Sequence, residues 1–167
     1  MSYKEHKTQS TPNVKCSVLT VSDTRTKEDD ESGKLIVRLL KDLSHVVSSY
    51  DVIKDESEEI KKFIVNQIRS DLTQAVIING GTGISRRDVT FEVVNDLLEK
   101  KLDGFGEIFR HLSFQEIGSP AMMSRALAGI YQGKAIFSIP GSVEAVRLAM
   151  ERLILPELGH IVTLLNK

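Results

Sequence analysis

Residues 75–88 constrain the fold of this chain more than any other stretch of its sequence. They read Ala-Val-Ile-Ile-Asn-Gly-Gly-Thr-Gly-Ile-Ser-Arg-Arg-Asp, an apolar run followed by a glycine-rich turn, and a helical pattern at 89–100 comes next. This order predicts a buried strand, a turn whose backbone can approach a ligand closely, and then a helix. Because the unpaired N–H groups of a first helical turn favour an anion, we expect the function to be located here.

The rest of the chain alternates short apolar runs with amphipathic stretches in the same way. Besides 74–78, strands are predicted at 14–21, 44–53 and 134–139. Helices are predicted at 32–43, 57–69, 89–100, 121–130 and 143–154. Glycines at 104–107 predict an interruption, followed by a short helix or turn. Pro156 predicts a break before a last helix. Strands that alternate with helices predict a three-layer α-β-α fold around a mostly parallel sheet.

The composition limits the class of protein. The chain has 167 residues, a net charge of −1 and one cysteine. Residues 1–13 are polar and predict a flexible arm, whereas 14–167 predict a single α/β domain. The near-neutral charge gives no global attraction to nucleic acid, and no apolar run approaches the roughly 20 residues that a membrane span needs. One cysteine suits a reducing compartment, so we expect a cytoplasmic location.

In a parallel sheet, ligands gather beyond the carboxyl ends of the strands. Four segments are therefore expected to meet at one edge: the polar loop 22–26, Asp55, the glycine turn, and the tight turn Pro140-Gly141-Ser142. Their convergence depends on the predicted order of strands and crossovers. The glycine turn itself matches neither the Walker pattern nor the dinucleotide fingerprint.

Asp55 and Asp88 are the candidate metal ligands at that edge, and each also has a structural interpretation. Asp88 forms a capping pattern with Ser85, and Asp55 forms one with Glu58. The residues alone leave both interpretations open and favour the cap for Asp55. Two carboxylates on one sheet edge are nevertheless sufficient to hold a hydrated Mg²⁺ together with phosphate oxygens.

Positive charge lies close to the glycine turn in the sequence. Arg86 and Arg87 follow it directly and supply charge for phosphates. Arg125, preceded by Ser124, is interpreted as either a surface charge or an anion clamp. The four histidines lack the spacing of zinc ligands.

A series of short motifs, taken in order, resembles the MoaB/MogA family, which makes the molybdenum cofactor. The motifs are Asp30-Glu31-Ser32-Gly33, Gly80-Gly81-Thr82-Gly83, Arg86-Arg87-Asp88-Val89-Thr90, Gly104-Phe105-Gly106-Glu107, Ser124-Arg125 and Pro140-Gly141-Ser142. Segments 112–118 and 124–129 are more similar to the MoaB branch. One position departs from some relatives, which have proline where this chain has Phe91.

The resemblance implies a molybdopterin-binding α/β domain that transfers the adenylyl group of ATP to the terminal phosphate of molybdopterin, releasing pyrophosphate with the help of Mg²⁺. Asp55 and Asp88 fall on the family's two functional aspartates and are expected to be catalytic and to organise Mg²⁺. The substrate-binding residues that the resemblance implies are Gly80, Gly81, Thr82, Gly83, Arg86, Arg87, Ser124, Arg125, Pro140, Gly141 and Ser142.

The resemblance also implies a homo-oligomer, either a trimer or a dimer of trimers. An alternative function is that of a noncatalytic oligomer that carries or protects molybdopterin. A third interpretation is a related domain that acts on another nucleotide. Retention of Asp55 and Asp88 favours the enzyme over the noncatalytic carrier.

Overall fold

The computed structural model describes residues 12–167. The flexible arm predicted at 1–13 therefore lies outside the described residues, except for Pro12 and Asn13, which are exposed. The strands are β1 (Lys15–Val21), β2 (Val46–Ile53), β3 (Ala75–Asn79), β4 (Lys100–Lys101), β5 (Leu127–Tyr131) and β6 (Lys134–Ile139). The helices are α1 (Glu31–Asp42), α2 (Ser57–Arg69), α3 (Thr90–Leu97), α4 (Asp103–Ile117), α5 (Val143–Ala149) and α6 (Leu155–Leu165).

These strands form one sheet in the order β2-β1-β3-β6-β5-β4. The first four are parallel to one another, whereas β5 runs antiparallel to both β6 and β4. The mostly parallel sheet predicted from the sequence is confirmed. Because Asn79 lies opposite both Thr20 and Ile139 in the strand register, the loops that leave β1, β3 and β6 emerge at the same edge.

Helices cover both faces of the sheet, and β3 shows why. Ala75 and Ile77 belong to a buried cluster with α1, α4, α5 and α6, whereas Val76 and Ile78 belong to a second cluster with α2 and α3. Successive side chains of a strand point to opposite faces, so a strand buried on both sides is apolar throughout. The three-layer α-β-α fold is confirmed. In residues 12–167, no helix has the length and apolar character needed to cross a bilayer.

The helix predicted at 121–130 is wrong. A short 3-10 helix, Ser119–Met123, is followed by strand β5. Two residues, Gln132 and Gly133, connect β5 to β6, and both have positive φ angles, 46° and 75°. This is the backbone of a tight hairpin. Pairing with β6 overrides the helix propensity of the alanine, leucine and methionine side chains.

Three smaller predictions about helix boundaries also need correction. Gly104 and Gly106, interpreted as an interruption, lie inside α4. A Cβ atom at Gly106 would lie 2.7 Å from the carbonyl oxygen of Ala126, so the glycine permits a close approach of α4 to the segment entering β5. The helix predicted at 89–100 ends at Leu97. Pro156 is the second residue of α6, and a π-helical turn, rather than a break, joins α6 to α5.

Candidate functional site

A pocket of about 440 Å³ opens at the edge where β1, β3 and β6 end. Small-molecule sites commonly enclose about 300–1,000 Å³. One wall is polar and comes from the loops after these strands, and the other is apolar and contains Phe109, Ile117 and Met123. The predicted site residues that line the pocket are Gly80, Gly81, Thr82, Gly83, Asp88, Ser124, Pro140, Gly141 and Ser142.

The glycine turn brings its backbone against neighbouring loops. Gly80 and Gly81 have φ angles of 98° and 63°, a conformation that residues with side chains rarely adopt. A Cβ atom at Gly81 would lie 2.5 Å from Oδ2 of Asp55. The missing side chain at Gly81 therefore makes room for the Asp55 carboxylate directly beside the turn.

Asp55 is not a helix cap. Helix α2 begins at Ser57 without a side-chain cap, and the Asp55 carboxylate turns instead toward the start of α3. Its Oδ1 accepts hydrogen bonds from the Val89 N–H at 3.2 Å and the Thr90 hydroxyl at 3.4 Å. Burial raises the pKa of Asp55, the Val89 hydrogen bond opposes this, and the charge of Asp88 raises it further. The favoured capping interpretation is wrong, and the carboxylate carries poorly compensated negative charge.

Asp88 closes a turn and lines the pocket, and its role as a ligand stays a prediction. Its Oδ2 accepts a hydrogen bond from the Ser85 N–H at 2.9 Å, so it closes the turn that precedes α3. It also lines the pocket, and a Cβ atom at Gly83 would lie 2.7 Å from the same oxygen. The carboxylates of Asp55 and Asp88 thus contact glycines two positions apart in one turn.

This donor set fits Mg²⁺. Asp55 and Asp88 are hard oxygen ligands beside a turn whose exposed backbone suits phosphate, and Mg²⁺ is commonly held by one or two carboxylates plus phosphate oxygens. Burial, together with the charge of Asp88, raises the pKa of Asp55, so a bound cation would favour its ionised form. Residues 12–167 hold no group of three or more His, Cys, Asp or Glu side chains in a metal-binding arrangement.

The three arginines singled out from the sequence lie outside the pocket lining. Arg86 is exposed, and Arg87 forms a salt bridge with Asp23 at 3.0 Å and another with Glu56 at 2.9 Å. The polar loop after β1 therefore engages Arg87 through Asp23, and Asp23 Oδ1 also accepts the Asp55 N–H at 3.2 Å. Arg87 connects three loops at the sheet edge.

Arg125 braces the glycine turn from behind. Its guanidinium donates to the carbonyl oxygens of Thr82 at 3.3 Å and Asp88 at 3.1 Å. It also pairs with Glu92 and stacks on the ring of Phe91, 4.9 Å from its centroid. In this fold Arg125 clamps the loop backbone, and its role as an anion clamp stays a prediction. Phe91, the residue that departs from the proline of some relatives, supplies the stacking surface.

Sequence reasoning missed the buried polar cluster beneath the loop after β1. Asp30 is fully buried, and it accepts hydrogen bonds from the Ser32 hydroxyl at 2.9 Å, the Gly33 N–H at 3.1 Å and the Tyr50 hydroxyl at 2.7 Å. Arg25 lies 3.8 Å from Asp30 and lines the pocket. The sequence offered two signals, the motif Asp30-Glu31-Ser32-Gly33 and the position of 22–26 after the first strand, but neither singled out Arg25 as a site residue.

One wall residue has an unused polar group. The hydroxyl of Ser124 is buried and has no hydrogen-bond partner within the described part of the chain. Ser124 lies between the short 3-10 helix and β5 and lines the pocket. A buried hydroxyl without a partner costs free energy, so this group is placed to bond a ligand.

Comparisons with known proteins agree with this geometry. The family model described as "Probable molybdopterin binding domain" matches residues 17–160. Molybdenum cofactor biosynthesis protein B of Bacillus subtilis is 50% identical over 168 residues, with 100% of this chain and 99% of that protein covered.

Solved structures give the same result. A crystal structure of molybdenum cofactor biosynthesis protein B has 51% identity and a TM-score of 0.91, covering 93% of this chain and 98% of that one. The tungsten cofactor synthesizing protein MoaB from Pyrococcus furiosus has 37% identity and a TM-score of 0.85, covering 94% and 99%. The chain therefore belongs to the MoaB/MogA family of molybdenum cofactor biosynthesis proteins, and within it to the MoaB branch.

Proposed function

We propose that this chain acts in molybdenum cofactor biosynthesis by adenylylating molybdopterin. An oxygen of the terminal phosphate of molybdopterin attacks the α-phosphorus of ATP and forms a new P–O bond. The bond between that phosphorus and the α–β bridging oxygen breaks, and pyrophosphate leaves. The names of the relatives give the pathway, and the reaction itself is our proposal.

The observation that carries the proposal is the pair of carboxylates beside the glycine turn. Asp55 lies beside Gly81 and outside the pocket lining, whereas Asp88 lies beside Gly83 and lines a pocket that has one apolar wall. Two carboxylates would repel phosphates unless a divalent cation lay between them, and Mg²⁺ would neutralise charge on the reacting phosphates there. The apolar wall suits the flat pterin ring.

The chain's own groups then position the two substrates. The glycine turn offers backbone N–H groups without side chains in the way, and Arg125 holds this turn through the Thr82 and Asp88 carbonyls. The hydroxyl of Ser124, which has no hydrogen-bond partner among residues 12–167, would give a further hydrogen bond to substrate. Phosphoryl-type transfer asks the protein mainly for alignment and charge neutralisation, and these groups supply both.

The test is pyrophosphate release from Mg-ATP, measured with molybdopterin, without it, and with dephosphorylated molybdopterin as the matched control. We expect release only with the phosphorylated pterin, because the phosphate is the nucleophile. Tight binding of molybdopterin without any pyrophosphate would contradict the enzyme and leave the noncatalytic carrier as the function.

We also propose that the chain works in the cytoplasm as a trimer or a dimer of trimers. Large apolar side chains are exposed on α4 and the 3-10 helix after it, with Phe114 at 60% and Met122 at 80% of their full exposure. Such side chains are frequent at contacts between subunits. Light scattering on the purified chain tests this, and a monomer at micromolar concentration would contradict it.

A further inference from the structure

The pocket has an uneven distribution of charge. Among the described residues that line it, Arg25 and Asp88 are the charged ones, and Arg25 is the only cation. Arg87 and Arg125, which also lie at this edge, already engage carboxylates or carbonyls outside the pocket. Within the pocket lining, positive charge for a bound anion therefore comes from Arg25 or from a metal ion.

Arg25 is fixed at one end of its guanidinium group. Nη1 donates to the Ser32 hydroxyl at 2.8 Å and to the Gly141 carbonyl oxygen at 3.0 Å. Ser32 in turn donates to the fully buried Asp30. The buried Ser32 hydroxyl and the Gly141 carbonyl thus orient the guanidinium group. Through these contacts, Arg25 bridges the loop after β1 to the turn after β6.

The other end of the guanidinium group is open. Within residues 12–167, Nε and Nη2 of Arg25 have no hydrogen-bond partner, and the side chain is 36% exposed. An arginine fork with one edge anchored and one edge open is suited to a bidentate contact with phosphate oxygens. The adjoining hydroxyls of Ser22 and Thr24 also line the pocket and add donors.

Gly141, which Arg25 contacts, packs against Gly80, whereas Asp55 and Asp88 lie beside Gly81 and Gly83. A cation held by these aspartates would neutralise the phosphates beside Gly81 and Gly83. A two-substrate reaction brings a second phosphate group into the same pocket, and that group needs positive charge of its own. Arg25 is the group in the lining that meets this need.

We propose that Arg25 binds the phosphate monoester of the pterin substrate and so makes the pocket prefer phosphorylated over unphosphorylated pterins. This inference rests on the proposed function. The anion could come from either substrate, since ATP also carries phosphates. The assignment to the pterin follows from the position of Arg25 at the Gly80 end of the turn, whereas the aspartates lie beside Gly81 and Gly83.

The test measures binding rather than turnover. Equilibrium affinities are determined by calorimetry for molybdopterin, dephosphorylated molybdopterin and Mg-ATP, each titrated alone into the full chain. The variants are Arg25→Gln, Arg25→Lys and a charge-matched control, Arg38→Gln. Arg38 is exposed on α1, outside the pocket lining.

We expect Arg25→Gln to weaken molybdopterin binding by about 10- to 100-fold, the scale of hydrogen bonds to charged groups. Its affinities for the dephosphorylated pterin and for Mg-ATP should stay within about twofold of the parent. Arg25→Lys should retain part of the preference, because it keeps the charge but loses the fork. Arg38→Gln should bind all three ligands as the parent does.

Two kinds of outcome overturn the inference. Equal losses for both pterins would show that Arg25 acts on the fold of the loops, and a loss confined to Mg-ATP would assign Arg25 to the nucleotide. If Arg25→Gln fails to fold, the Arg25→Lys comparison decides in the same way. A parent chain that binds molybdopterin but releases no pyrophosphate defeats the proposed reaction and leaves the Arg25 test intact. A parent chain that does not bind molybdopterin defeats both.

Discussion

Two buried aspartates lie close to the same edge of the sheet, and their surroundings differ. Asp30 is fully buried and accepts hydrogen bonds from Ser32, Gly33 and Tyr50. Asp55 is 6% exposed, and its carboxylate accepts only two longer hydrogen bonds, at 3.2 and 3.4 Å, within the described chain. The Asp30 carboxylate therefore has more hydrogen-bond donors, and closer ones, than the Asp55 carboxylate has.

The pKa values of the two groups move in opposite directions. Burial acts to raise the pKa of Asp30, but its hydrogen bonds outweigh burial and hold the pKa below its usual range. Burial likewise raises the pKa of Asp55, and there the hydrogen bonds are too few to compensate. A buried carboxylate with enough donors stabilises the fold, whereas a buried carboxylate with few donors costs stability and would be stabilised by a cation.

We expect substitution of Asp88, like that of Asp55, to reduce catalysis, and to do so by a large factor. Asp88→Asn keeps an oxygen for the Ser85 N–H but loses the charge. We expect turnover to fall by about 100- to 1,000-fold, the scale for removing one electrostatic contact to a transition state. Pyrophosphate release measures this, and circular dichroism should show an unchanged fold. Near-parental turnover would remove Asp88 from the mechanism.

We expect substitution of Asp30 to lower the stability of the fold and to leave catalysis largely unchanged. Asp30→Asn replaces an acceptor with an amide that cannot serve all of the surrounding donors. We expect a loss of about 1–3 kcal/mol in the free energy of unfolding in urea. Turnover of the folded fraction at low temperature should change little in kcat. An unchanged urea midpoint would show that this cluster contributes no stability.

Asp30 also gives a pH dependence with a defined sign. Its folded-state pKa lies below the unfolded value of about 3.9, so its contribution to stability is present above that pH. The contribution is lost as the pH falls further, through the folded-state pKa. The parent should therefore lose stability below about pH 4 more steeply than Asp30→Asn does. Parallel acid curves would contradict this.

Arg125 should have the smallest of these effects, because it acts through the backbone of the glycine turn. Arg125→Lys keeps the charge but cannot reach the Thr82 and Asp88 carbonyls together. We expect the KM for Mg-ATP to rise by about tenfold, or about 1.4 kcal/mol, with a smaller change in kcat. A fall in kcat with unchanged KM would mean that Arg125 acts on the transition state itself.

Local patterns in the sequence predicted the central layers of the fold well. The β-branched run of β3 and the i, i+4 spacing of Ile60, Ile64 and Ile68 on α2 are strong local signals, and all of these residues are buried. The segment of β5 carries helix-forming residues and becomes a strand through pairing with β6. The dipeptide Gln132-Gly133 was the available hairpin signal, and it is weak without an asparagine or aspartate.

The same limit applies to the site. Asp55, Asp88 and the turns that hold them could be placed because topology gathers loops at one edge. The contacts of the arginines could not be predicted, because a long side chain can reach partners that are far away in the sequence. Arg87 lies beside the glycine turn in sequence yet pairs with Asp23, whereas Arg25, some 55 residues before the turn, lines the pocket beside it.

The most direct test of the contrast between the two aspartates is a paired measurement on Asp55→Asn. The neutral amide keeps an acceptor for the Val89 N–H and removes a buried charge whose folded-state pKa is raised. With EDTA at pH 7, we predict a higher melting temperature than the parent has, and with Mg-ATP and molybdopterin, loss of pyrophosphate release. A lower melting temperature together with retained release would contradict the account, because Asp55 would then stabilise the fold as Asp30 does.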